Sequence, residues 1–310
     1  MKKIFIDGSA GTTGLRIAER LESRKDIELI KLTEENRKDI NARKAALNSA
    51  DIAFLCLPDA AAIEAVSLID NPNTVVLDTS TAHRTNPDWA YGFPELSAGA
   101  EEKVKNSKRI AVPGCHASGF ISLIYPLVEK GILDKDILLS CFSLTGYSGG
   151  GKKMIAEYEG AERDELLDAP RQYGIAQTHK HLPEMKAITG INNAPAFIPV
   201  VGSFYSGMEV TIPIFASQLN DGFTVEDIKK TYKEKYNGPV VNYVESFDED
   251  GFVSANKLNG RDSMEISVSG NDDRILLISR YDNLGKGASG AAVECMNIVL
   301  GVDKTTGLEL

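Results

Sequence analysis

Residues 1–114 alternate short apolar strands with amphipathic helices, and that alternation restricts the fold more than any other feature of the chain. Strands are read at 3–7, 27–32, 52–57 and 75–78, and helices at 14–23, 41–49 and 60–69. The segment Ile52-Ala53-Phe54-Leu55-Cys56-Leu57 is apolar throughout. A strand without polar alternation is buried on both faces, as in a parallel sheet covered by helices on either side. This half is predicted to be a doubly wound α/β domain of the Rossmann type. From residue 137 longer strands take over, including 196–201, 207–216, 264–270 and 274–281, with few helices between them. An α+β domain with a large mixed or antiparallel sheet is expected there. Ala288, Ala291, Ala292, Cys295, Met296 and Val299 then recur at helical spacing before Gly301, so one last helix closes the chain. At 310 residues the chain exceeds what one core usually supports. The expected division is a nucleotide-binding domain of residues 1–114, completed by 286–310, and a catalytic and oligomerisation domain of residues 115–285.

The first strand runs into Asp7-Gly8-Ser9-Ala10-Gly11-Thr12-Thr13-Gly14, and a helix follows directly. Glycines at 8, 11 and 14 give GxxGxxG in the first strand-to-helix turn. One glycine permits the tight turn, one lets the backbone approach a pyrophosphate, and one allows close helix packing, with the anion at the helix N-terminus. Gly8, Ser9, Gly11, Thr12, Thr13 and Gly14 are therefore read as a dinucleotide loop. NAD enzymes usually place an acidic residue at the end of the second strand for the ribose 2′-hydroxyl. Here that strand ends Lys31-Leu32-Thr33, and Glu34 and Glu35 come late. Thr33, Arg37 and Lys38 can instead receive a 2′-phosphate, which favours NADP(H); a solvated loop is the alternative for Arg37 and Lys38.

Val112-Pro113-Gly114-Cys115-His116-Ala117-Ser118-Gly119 precedes the apolar run 120–128, which reads as a helix with Cys115 near its first residues. Unpaired N–H groups and the positive end of the helix dipole lower a thiol pKa from about 8.5. Cys115 reads equally as a nucleophile or as a small buried hydrophobe. Cys56, Cys141 and Cys295 sit in apolar strands or on an apolar helix face, where packing accounts for them. The cysteines lack metal spacing, so no metal is expected, and the opening Met1-Lys2-Lys3 passes straight into a strand without a secretory signal. A reduced, cytoplasmic protein is predicted. No apolar stretch reaches the ~18 residues that span a membrane, and a net charge of −10 argues against nucleic acid. An anionic substrate would need local cations.

A thiol and a hydride carrier in one chain suggest chemistry at an acyl carbon, with thiolate attack giving a thioester that hydride reduces. Asp78-Thr79-Ser80-Thr81-Ala82-His83-Arg84 brings hydroxyls and a guanidinium together in a way that suits phosphate, although Arg84 also reads as a surface residue. Gly146-Tyr147-Ser148-Gly149-Gly150-Gly151-Lys152 can present backbone N–H groups beside a lysine, or serve as a flexible turn. Of the four histidines, His116 is expected to point away from its neighbour Cys115, and His83 reads as a loop residue. His179 and His181 flank Lys180, and in an extended segment they would face one side, towards one pocket. Pro183 with Glu184 reads as a helix start, and Glu184 can orient one of these histidines. Structural histidines are the alternative.

These segments together resemble the N-acetyl-gamma-glutamyl-phosphate reductase family, in its shorter, type 2 variety. Residues 8–14 match its cofactor loop, Ser80 to Arg84 its phosphate loop, and Tyr91-Gly92-Phe93-Pro94-Glu95-Leu96 its YGLPEL segment. Pro113-Gly114-Cys115 matches PGC, 148–153 SGAGRK, 179–184 HRHxPE, and Asp282-Asn283-Leu284-Gly285-Lys286-Gly287-Ala288 matches DNLVKGAA, all in the family's order. The resemblance implies Cys115 as nucleophile, one of His179 and His181 as acid/base, and the other on substrate. It implies Ser80, Arg84, Ser148, Lys152 and Glu184 around the substrate or its phosphate, and Asn283 and Lys286 near a nicotinamide. It also implies a fold like aspartate semialdehyde and glyceraldehyde phosphate dehydrogenases, and a homodimer or homotetramer. The expected reaction is NADPH-dependent conversion of an acyl phosphate, N-acetyl-L-glutamyl 5-phosphate, to its semialdehyde in arginine biosynthesis. Alternatives within the class are aspartate semialdehyde dehydrogenase and a carrier-linked aminoadipyl phosphate reductase; outside it, a dinucleotide-binding redox sensor. Two departures stand out: His116-Ala117-Ser118 where Tyr-Pro-Thr is frequent, and Lys180 where arginine is usual.

Overall fold

The computed structural model describes residues 1–247 and 249–310. The chain forms two compact units, one of Met1–Pro94, Ala98–Gly114 and Ala288–Leu308, the other of Glu95–Ser97, Cys115–Gly287 and Glu309–Leu310.

The first unit is built on β1 (Lys2–Asp7), α1 (Thr12–Glu22), β2 (Ile27–Ile30), α2 (Ile40–Ser49), β3 (Ile52–Leu55), α3 (Asp59–Ser67), β4 (Val75–Asp78), β5 (Ala90–Tyr91), α4 (Ala100–Asn106) and β6 (Arg109–Ala111). The strands form one sheet in the order β2-β1-β3-β4-β6-β5, parallel at every pairing. Every residue of β3 and β4 is buried, which explains why their sequences do not alternate. Successive side chains leave a strand on opposite faces, so Ile4, Ile6, Phe54 and Leu77 enter one core with Ile17 and Leu21 of α1. Phe5, Ala53, Leu55 and Val76 enter a second core, with Ala46 and Leu47 of α2 and Ala62 and Ala65 of α3. The doubly wound pattern predicted from the sequence is thus present, and α4, β5 and β6 add to the elements read there.

The second unit contains α5 (Cys115–Glu129), β7 (Ser140–Gly146), α6 (Gly151–Glu159), β8 (Arg171–Gln172), α7 (Leu182–Thr189), β9 (Ala196–Gly202), β10 (Met208–Phe215), α8 (Val225–Lys235), β11 (Val241–Tyr243), β12 (Met264–Gly270) and β13 (Arg274–Tyr281). Its sheet runs β11-β12-β13-β10-β7-β9-β8 and is mixed, with β11·β12 and β7·β9 parallel and the other neighbours antiparallel. Buried and half-buried residues alternate along β7 and β9, the mark of a sheet with one covered face. The covering helix is α5, buried at every position from His116 to Ile124. It packs on β10 and β13, with α7 and α8 beside it.

The chain then returns to the first unit as α9 (Gly290–Leu300), whose Ala291, Ala292, Val293, Cys295, Met296 and Ile298 join the core of β1, β3 and β4. Gly301 ends α9 in the left-handed conformation at φ 70.

Candidate active site

Cys115 is the first residue of α5, reached from β6 through Val112-Pro113-Gly114. Tyr281, the last residue of β13, donates its hydroxyl to the Cys115 carbonyl at 2.6 Å and accepts from the Gly119 N–H at 3.0 Å. One phenol therefore pins the first turn of the helix. A Cβ placed on Gly287 would come within 3.1 Å of the Cys115 Cβ, so the segment before α9 lies against the cysteine. Cys115 is half-buried, whereas Cys141 and Cys295 are buried outright. Burial pushes the Cys56 thiol up to about 12 and the Cys141 thiol higher still, and both stay protonated near neutrality.

Around this helix start three histidines converge. His181 and His179 have ring centroids 4.7 Å apart at 86°. They meet through a turn, not through the extended segment expected from the sequence, because His181 has helical dihedrals as the residue before α7. The His181 N–H donates to Nδ1 of His179 at 3.2 Å. Burial lowers the His179 pKa first, and the neighbouring Lys180 charge lowers it further. His116 enters the same cluster: its centroid is 5.6 Å from both His179 and His181. Its Nδ1 meets the Ser143 hydroxyl and its Nε2 the Tyr173 hydroxyl, each at 2.6 Å. Burial pulls the His116 pKa down to about 3, so the ring is neutral. Burial and the nearby Cys115 charge both push the Tyr173 phenol up. Glu184 lies in the first turn of α7, buried, three positions after His181.

Two other motifs, far apart in sequence, also meet. Residues Tyr147–Gly150 form a tight helical turn leading into α6, with Ser148 buried. The Asn283 side-chain amide donates to the Ser148 hydroxyl at 3.0 Å and accepts from the Gly207 N–H at 2.9 Å. Asp282 accepts from Ser206 and from the backbone of Leu284, fixing the turn that precedes Lys286. Lys286 sits in a π-helical turn, Gly285–Ser289, with its ammonium on Glu95 at 2.7 Å. Lys152 is exposed on α6.

In the first unit, Asp78 ends β4 fully buried and accepts from Ser80 Oγ at 2.7 Å, with His83 Nδ1 at 2.6 Å. His83 stacks on Trp89 at 4.0 Å. Arg84 is buried, its Nε donating to the Val112 carbonyl at 2.9 Å and its Nη2 to that of Thr79 at 2.8 Å. These bonds fix the plane of the guanidinium. At the carboxyl ends of β1 and β2 lies a cleft of about 510 Å³, walled by Gly8, Ser9, Ala10, Leu32, Arg37 and Lys38 among others. Gly8 has φ +88, and a Cβ there would lie 2.3 Å from the Cys56 carbonyl oxygen. Gly11 precedes α1, while Thr12, Thr13 and Gly14 form its first turn. Thr33 is exposed and its carbonyl accepts the N–H groups of Asn36 and Arg37, so the wall at this point comes from its neighbours. Arg37 pairs with Glu34 at the rim. Left-handed glycine backbone, apolar side chains and the cations Lys31, Arg37, Lys38 and Arg43 suit a dinucleotide, with Asp7, Glu22 and Glu34 also on the lining. Among the described residues there is no cluster of His, Cys, Asp or Glu that could hold a metal, and no helix long and apolar enough to cross a membrane.

Two family models match the chain: semialdehyde dehydrogenase, NAD binding domain, at residues 3–106, and semialdehyde dehydrogenase, dimerisation domain, at residues 115–283. The chain is 43% identical over 318 residues to N-acetyl-gamma-glutamyl-phosphate reductase 2 of Nostoc sp., covering 99% of each. It is also 43% identical to N-acetyl-gamma-glutamyl-phosphate reductase of Brucella ovis, covering 96% of this chain and 99% of that one. The chain belongs to the N-acetyl-gamma-glutamyl-phosphate reductase family. Its fold is shared with aspartate semialdehyde dehydrogenase II of Vibrio cholerae, at TM-score 0.71 and 16% identity over 97% of this chain and 98% of the other. The aspartate semialdehyde dehydrogenase of Candida albicans, solved with NADP, matches at TM-score 0.67 and 17% identity over 97% and 98%.

Within this reductase family member, Tyr173, Ser143 and Tyr281 are the residues that sequence reading missed. Tyr173 falls between the glycine-rich loop and the histidine motif, and no spacing marks it. Ser143 and Tyr281 are ordinary strand residues in sequence, and only the sheet register carries them to α5.

Proposed function

We propose that this chain reduces N-acetyl-L-glutamyl 5-phosphate to N-acetyl-L-glutamate 5-semialdehyde, consuming NADPH and releasing phosphate. The observation that carries this reading is Cys115 at the head of α5, the helix that carries His116 into contact with His179 and His181, in a chain whose full-length relatives are reductases. The Cys115 thiolate attacks the acyl carbon, the C–O bond to phosphate breaks, and an enzyme thioester remains. Ser80 and Arg84, with Ser148 and Lys152, receive the departing phosphate charge. When bound, NADPH supplies the hydride that reduces the thioester carbon. One of His179 and His181 accepts the thiol proton and returns it as the C–S bond breaks and the aldehyde forms, with the other on substrate and Glu184 orienting one of them. Gly8, Ser9, Gly11, Thr12, Thr13 and Gly14 hold the pyrophosphate, Arg37 with Thr33 and Lys38 the 2′-phosphate, and Asn283 and Lys286 the nicotinamide end. Residues 1–114 with 286–310 serve as the nucleotide-binding domain, and 115–285 as the catalytic and assembly domain. The protein works in the cytoplasm as a homodimer or homotetramer, with no nucleic acid or membrane partner.

The test runs the reaction backwards, following phosphate-dependent NADP reduction with N-acetylglutamate semialdehyde. Wild type is expected to turn over and Cys115→Ser to lose at least about a thousandfold in kcat. Turnover of aspartate semialdehyde in its place would reject the substrate, and full activity of Cys115→Ser would reject the thioester.

A further inference from the structure

Resting on the thioester reading above, we propose that His116 is a positioning residue, clamping the turn that carries His179 and His181 to the start of α5. One ring makes three attachments. Through its backbone it belongs to α5, one residue after Cys115. Through Nδ1 it holds Ser143 of β7, and through Nε2 the hydroxyl of Tyr173, just past β8, each at 2.6 Å. Its faces and edges are then enclosed by His179 and His181, both 5.6 Å away, and by Phe197 of β9 at 5.3 Å. Tyr173 itself packs edge-on against His179 at 6.1 Å. The two candidate acid/base rings therefore rest on His116 directly and through its hydrogen-bonded partner.

Both partners of the imidazole are hydroxyls, which donate or accept as required, so the chain Ser143–His116–Tyr173 is satisfied in either tautomer. Buried and uncharged, His116 adds no positive charge beside His179. The titratable groups around it are Cys115 on its own helix, His179 and His181 before α7, and Tyr173, with Lys180 acting on His179.

Tyr173→Phe keeps the ring and removes one end of the chain, and His116→Phe removes both bonds at similar volume. Two readouts are compared: kcat and KM with the acyl phosphate or semialdehyde, and the pH profile of Cys115 alkylation by iodoacetamide without substrate. Each variant is expected to lose between about tenfold and a hundredfold in kcat with KM within about twofold. Each is also expected to shift the alkylation midpoint by about half a unit or more, as the two imidazoles are no longer held in place at the start of α5. His116→Gln, which keeps a polar group towards Tyr173, recovers part of both. The double variant loses no more than the worse single, because one chain is cut. Folded Tyr173→Phe with wild-type kcat and alkylation profile would overturn the proposal, as would losses that multiply in the double variant. If wild type fails to turn over the acyl phosphate, the substrate reading falls, and the alkylation shift alone decides the role of His116.

Discussion

Lys286 and Glu95 form an ion pair at 2.7 Å with side-chain exposures of 0% and 9%. Two charges taken out of water cost several kcal/mol each, and their attraction offsets this only while both are present. Lys286→Met is therefore expected to lose about 3–5 kcal/mol of unfolding free energy in urea titration, because a buried carboxylate is left without its cation. The double change Glu95→Leu with Lys286→Met should recover most of that loss. The two measurements separate stability from chemistry: if the double variant regains stability but not turnover, Lys286 serves the nicotinamide end as proposed. A single variant as stable as wild type would show that the pair is not buried in solution. At this scale the sequence was a fair guide to identity and a poor one to partners. Lys286 was legible as a motif residue, but Glu95 lies in another motif altogether, and only the fold makes them neighbours.

Elements were more legible than contacts, because periodicity is local. The buried strands β3 and β4 and the amphipathic α1 stood out, and Gly301 marked the end of α9 through its left-handed φ of 70. Helix α8 is not among the elements read from the sequence, although Thr224 and Asp227 form a reciprocal capping box at its start and Ile228, Thr231 and Tyr232 make its buried stripe. The histidine segment misled in a different way. Alternation about Lys180 suggests a strand, whereas His181 takes helical dihedrals as the residue before α7, whose start Pro183 marks. The cofactor loop is the clearest case where an element's start is set by single atoms. A Cβ on Gly14 would sit 2.4 Å from the Gly8 carbonyl oxygen and 2.9 Å from Ser9 Cα, both backbone atoms that cannot swing aside. Gly14→Ala is expected to push α1 off the loop and weaken NADPH binding by at least about tenfold, read by fluorescence titration. Gly99→Ala at the start of α4, with nothing within 4 Å of the added carbon, is the control and should bind as wild type does. Equal affinity for both variants would mean that the loop tolerates the methyl and does not grip the dinucleotide.

For the molecule as a whole, the buried histidines tie folding to pH. An imidazole held neutral in the folded state binds fewer protons than it does in the unfolded chain, so its contribution to stability depends on acidity. His116 is held at about 3 against an ordinary 6.5, and burial moves His179 in the same direction. The sign follows from the lowered pKa: the stability is fully present above pH 6.5 and is lost as pH falls from there towards 3. The slope for one such group approaches about 1.4 kcal/mol per pH unit across that window. Exposed carboxylates held low by neighbouring cations, such as Asp26 beside Arg24 and Asp51 beside Lys2, also weaken in acid, so an acid transition alone does not isolate the histidines. The comparison that does is between slopes. His116→Phe is expected to be less stable than wild type at pH 7, because Ser143 and Tyr173 lose their shared partner. Its urea midpoint should nevertheless fall less steeply between pH 6.5 and 4.5 than that of wild type, since Phe takes up no proton on unfolding. Parallel curves for the two proteins would mean that His116 titrates normally in the folded state, and its burial as a neutral ring would then have to be abandoned.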